Sequence, residues 1–210
     1  MSADATSVLE PRHRRRRSPG VEANARLTAT TGLVLLVMLA AEGVTVVSVG
    51  TLLPWHIGIG LALVPPVLLK MGSTTWRFAR YYLGDLRYRQ AGPPHPLLRV
   101  VGPLVTVLTA AVLVTGISAW LQGPPARFWM TAHKVTFVLW FGVMTIHVLG
   151  HAWRAWRLAA ADSEPLAGLR ASASPALRRG MVALTVVAGV ALGVVTRGMM
   201  SGWSVWTHAR

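Results

Sequence analysis

No cysteine occurs among the 210 residues. That absence excludes disulfides, thiolate metal sites, iron–sulfur clusters and thioether attachment of any cofactor. Acidic residues are scarce as well, seven against 21 Lys and Arg, for a formal charge of +14. Charged residues of both signs make up only 13% of the chain and apolar residues 53%, with a mean hydropathy of +0.49. These proportions exclude an ordinary soluble domain. No Gly-rich dinucleotide fingerprint follows a strand, so flavin or nicotinamide, if used, belongs to another chain. A catalytic nucleophile, a catalytic metal motif and an internal inverted repeat are all missing.

What the chain has is five long apolar stretches: Leu27 to Gly50, Pro54 to Ala79, Leu98 to Leu121, Phe128 to Trp153 and Gly180 to Gly202. Each holds about the 20 residues that cross roughly 30 Å of hydrocarbon as a helix. The expected fold class is therefore all-α, a polytopic membrane bundle of five transmembrane helices. Residues 1–26 read as a disordered basic arm, 27–203 as the transmembrane domain and 204–210 as a short tail. The first stretch follows Arg14 to Arg17 but lacks a small-x-small cleavage site, so it reads as a retained anchor.

Sixteen of the 21 basic residues fall in the arm and in the connections 77–99 and 154–179. All three segments lie on one face of a five-span protein. The positive-inside rule makes that face cytoplasmic, in a cell (inner or plasma) membrane, with the amino terminus inside and the carboxyl terminus outside. The distribution points to orientation and contact with anionic membrane lipid, and away from nucleic acid. The loop Asp85 to Pro96 and the connection 158–177 leave no room for a further domain. Trp203 and Trp206 read as an outer aromatic belt.

Within the spans, ionisable residues mark where chemistry can reside. His56 and His133 each lie about one turn inside a span, and the two spans enter from the same side. Their depths agree within roughly 5 Å at 1.5 Å per residue. Two imidazoles at one level on different helices are what a b-type haem needs for its axial bonds. Spans two and four can face each other across a four-helix core, and Gly58 and Gly60 would let a macrocycle approach the backbone. His147 lies fourteen residues beyond His133, about 21 Å further along the helix and about 40° around it. The same step from His56 reaches Lys70, past the break at Pro65 and Pro66. Lys70 and His147 thus mark a second haem level, while snorkelling to the headgroups is the bland state of Lys70. His151, one turn on, shares the face of His147. Arg127 and Lys134 could neutralise haem propionates or serve as interfacial anchors. Glu42, in the first span, could orient a histidine or relay a proton.

Through His56, His133 and His147, the fourteen-residue spacing and the glycines near His56, spans two to four resemble the membrane cytochrome b superfamily, including ferric-reductase-like and bacterial di-haem cytochromes. The resemblance implies haem b held by paired histidines, with iron ligated by His56 and His133, His147 at a second site, and electron movement across or along the membrane. Lys70 stands where a fourth ligand would be expected. The function so implied is electron transfer between a quinol-type donor and an extracytoplasmic redox partner, as the electron-transfer subunit of an oxidoreductase. Two other classes fit the composition: a cofactor-free scaffold or assembly protein, and a small transporter using Glu42 and Lys70.

Overall fold

The structure, a computed structural model, describes residues 18–90, 96–163, 175–196 and 203. The basic run Arg12 to Arg17, Arg197, Trp206 and the tail 204–210 lie outside the described residues. Seven helices make up the described chain: α1 Pro19–Val47, α2 Val49–Ala62, α3 Val64–Tyr82, α4 Leu86–Gln90, α5 Pro96–Gln122, α6 Arg127–Ser163 and α7 Pro175–Val195. Five segments are long and apolar enough to cross a membrane: Pro19–Val47, Val49–Tyr82, Arg99–Gln122, Arg127–His151 and Pro175–Val195. The protein is a polytopic membrane helix bundle, all-α among the described residues.

Proline sets several helix starts. Pro19, Pro96 and Pro175 each open a helix, where the missing N–H costs nothing and the ring pre-sets φ. In α1 this moves the start upstream of the expectation. Residues 19–26, read from sequence as arm, are helical, with Val21, Ala23 and Ala25 buried and Arg26 paired to Glu22 one turn back. Alanine-rich composition and the i,i+4 pair favour that extension. Glycine sets two stops. Gly84 (φ +91°) and Gly123 (φ +77°) end α3 and α5 in the left-handed region, which a side chain would strain.

Span two is α2 and α3 end to end. Neither Pro65 nor Pro66 can donate to the ladder, and the helix re-forms after Leu63 without reversing direction. Pro66 is fully buried, as is Thr31 of α1. A single residue, Ser48, joins α1 to α2, and the two spans run back antiparallel. Asn24 reaches Ser73, Thr28 reaches Lys70 and Ser73, and Thr45 reaches His56. Spans three and four form a second antiparallel hairpin, tied by Trp140 Nε1 donating to Thr109 at 2.9 Å and by Thr115 with Thr136 at 3.1 Å.

Around the bundle, α5 packs on α6, α6 on α1, and α1 on α2 and α3. Spans two and four therefore sit on a diagonal, as the matched histidines require. The remaining seam, between α2 and α5, is only lightly packed. A small apolar cluster of Leu35, Leu63 and Val67, with Leu113 against it, fills the middle. Span five lies outside this square, on α2 and α3. There Gly189 and Gly193 sit four residues apart, and a Cβ at either would overlap the carbonyl oxygens of Ala62 or Gly58. This is the small-xxx-small contact that lets membrane helices approach closely.

Candidate functional site

His56 hangs from α2 and His133 from α6, and their rings meet across the diagonal with centroids 6.2 Å apart and planes at 61°. Each ring is held from behind by Nδ1. For His56 the partners come from α1: Glu42 Oε1 at 2.9 Å and Thr45 Oγ1 at 3.1 Å. Thr45 also donates to the Glu42 backbone carbonyl, fixing the turn that carries the carboxylate. For His133 the partner is the Val112 carbonyl on α5 at 3.1 Å, with Thr115 Oγ1 at 3.4 Å. A carbonyl and a carboxylate only accept, so in both neutral rings the proton belongs on Nδ1 and Nε2 carries a bare lone pair. No described residue bonds either Nε2. The side chains of His56 and Glu42 are 20% and 13% exposed, so this lone pair is kept largely inside the bundle.

Glycine makes room at the same level. A Cβ on Gly116 would stand 2.9 Å from His133 Cε1, and one on Gly60 would stand 3.3 Å from Glu42 Oε1. The space at Gly116 is filled by the imidazole. Gly60 seats the carboxylate behind His56. A Cβ on Gly58 would meet open space, and its backbone carbonyl lies against Gly193 of span five.

The inner level is separate. Lys70 does not snorkel to the headgroups. Its Nζ donates to the Thr28 carbonyl of α1 at 2.5 Å, lodged where Gly32 leaves space. The rings of His147 and His151 lie tilted at 55° with centroids 4.7 Å apart, and His147 Nδ1 is buried with no hydrogen-bond partner among the described residues. The lysine expected beside His147 is thus already engaged by a backbone carbonyl. Lys134 and Arg127 are exposed near the start of α6, away from the buried network. Trp203 departs from the belt expected of it: it is 7% exposed and its Nε1 donates to the Trp120 carbonyl.

Thr45, Thr115 and the Val112 carbonyl escaped the sequence reading. The signal for the threonines was available, since Thr45 follows Glu42 by three residues and Thr115 lies one before Gly116; only the partner helices give them meaning. Among the described residues no three His, Cys, Asp or Glu converge as a protein-only metal cage. A tetrapyrrole does not need one, because it brings four of its own ligands and asks the protein for two. A metal–imidazole bond of about 2 Å on each side, plus about 1 Å from nitrogen to ring centre, gives roughly the separation seen between the two rings. The donor set therefore fits an axial pair. No family model, curated protein or solved structure matches the chain.

Proposed function

We propose that this membrane helix bundle is a b-type haem protein in which His56 and His133 are the axial ligands, passing single electrons between a quinol-type donor and an extracytoplasmic redox partner. The observation that carries the reading is the pair of bare Nε2 atoms on rings 6.2 Å apart, each ring braced through Nδ1 by an acceptor. Metal-ligating histidines usually show that bracing, which fixes tautomer and orientation and raises ligand basicity. When bound, haem would supply an iron that cycles between ferric and ferrous states. The chain's own part is to hold two imidazoles at one level and to keep water from them. Glu42, facing His56, adds negative charge behind one ligand and so favours the more oxidised, more positive site. Arg127 and Lys134 stand near the His133 end of α6, where charge-assisted hydrogen bonds to propionates would be available.

The test is the haem-to-protein ratio of the purified full chain from haem-sufficient cells. A Soret band is expected in wild type and its loss in the His56→Ala/His133→Ala variant. Lys70→Met should keep the wild-type ratio, since Lys70 is bound to Thr28. A wild-type protein without a Soret band would overturn the reading.

A second reading, a cofactor-free scaffold or assembly protein, asks least of the molecule. It is favoured by the missing three-residue cage among the described residues and by the hydrogen bonds that already satisfy one nitrogen of each ring. On that reading the double-histidine variant changes stability and nothing in the visible spectrum. Glu42 and Lys70 each have a partner on a neighbouring span, and no observation favours the transporter reading over these two.

A further inference from the structure

Near the end of span four two more imidazoles meet. His147 and His151 belong to α6 and lie four residues apart, so they project from one side of the helix, one turn from each other. Both residues are half-buried, and their ring centroids are 4.7 Å apart with planes at 55°. His147 Nδ1 is fully buried and no described residue bonds it. A ring nitrogen in that state, whether N–H or lone pair, calls for a partner.

The separation decides what the two rings can hold together. A metal–nitrogen bond of about 2 Å, plus about 1 Å to the ring centre, puts each centre about 3 Å from an ion. Opposed bonds then separate the centres by about 6 Å, as for His56 and His133, whereas bonds at a right or tetrahedral angle separate them by about 4.2–4.9 Å. His147 and His151 fall in the second range. Rooted one turn apart on one helix, they reach an ion from the same side and cannot take opposite faces of one haem. Histidines at i and i+4 on a helix face are the arrangement that holds zinc in metalloprotease helices.

Donor chemistry selects the ion. Among the described residues no carboxylate joins the pair to make a group of three, and the chain runs on into Arg154 and Arg157. Hard cations such as Mg²⁺ and Ca²⁺ ask for oxygen ligands and are disfavoured. Neutral imidazole suits Zn²⁺, Ni²⁺ and Cu²⁺, with Cu²⁺ held most tightly.

We propose that His147 and His151 chelate a divalent late transition-metal ion, at a site separate from His56 and His133 and independent of whether that pair holds haem. Calorimetric titration of the purified full chain, without a polyhistidine tag, with Cu²⁺, Zn²⁺ or Mg²⁺ tests it, together with EPR of the Cu²⁺ form. Wild type should bind Cu²⁺ more tightly than Zn²⁺, show hyperfine structure from two imidazole nitrogens, and ignore Mg²⁺. His147→Ala and His151→Ala should each weaken this Cu²⁺ site by about tenfold or more and remove the two-nitrogen signature. His151→Ala trims a half-buried ring at the end of the span, so it keeps the test decisive if His147→Ala does not fold. The folded His56→Ala/His133→Ala variant should retain the site. Equal Cu²⁺ binding by wild type and both single variants overturns the proposal, as does loss of the site in the His56→Ala/His133→Ala variant. A haem-to-protein ratio lowered by His147→Ala would also overturn it, since the ring would then be spent on a macrocycle.

Discussion

His133 occupies a space that exists only because its neighbour on α5 is glycine. A methyl group at 116 would stand 2.9 Å from Cε1, tighter than the ring can accept without turning. Turning would also stretch the Nδ1 bond to Val112, so the cost falls on position as well as packing. Gly116→Ala is therefore expected to destabilise the fold by about 1–3 kcal/mol. It should also lower the haem-to-protein ratio, read from the Soret band against a thermal unfolding curve. A drop in stability with an unchanged ratio would separate the glycine from the site. Lys70 makes the complementary point about buried charge. A lone lysine in a span invites a reading as ligand or snorkel, but a carbonyl on the adjacent helix is the partner that the fold supplies.

At the level of elements, hydropathy marked all five spans because length and apolarity are local properties. Matched depth of His56 and His133 was equally legible, since it needs only rise per residue and a common side of entry. Azimuth was not. Past Pro65 and Pro66 the phase of span two cannot be carried forward by counting, and where span five docks is not written in either helix alone. The helical start at Pro19 escaped hydropathy for a related reason: residues 19–26 are held by Asn24 reaching Ser73 on another span. The docking of α7 is testable on its own. Gly189→Val should clash with the Ala62 backbone and cost at least about 1–3 kcal/mol. Proteolysis of the last span should become faster, while a Soret band, if present in wild type, should persist. Unaltered protease resistance would mean that α7 is held elsewhere.

For the molecule as a whole, the orientation expected from the basic connections can be measured cleanly because there is no native cysteine to block. Arg89→Cys and Gln122→Cys place single thiols on exposed residues at opposite ends of the bundle. An impermeant maleimide should label position 89 only from the cytoplasmic side and position 122 only from outside. The reverse pattern would invert the assignment.

The seat of α7 also dictates an order of events during synthesis. The helix translated last among the spans belongs against the second, so the faces of Gly58 and Ala62 must wait in the membrane while two further spans are made and inserted. Throughout that interval the first hairpin presents this close-packing face to lipid or to whatever insertion factor attends it. Span five covers this face when it arrives, and a ribosome stalled before it leaves the earlier hairpin open.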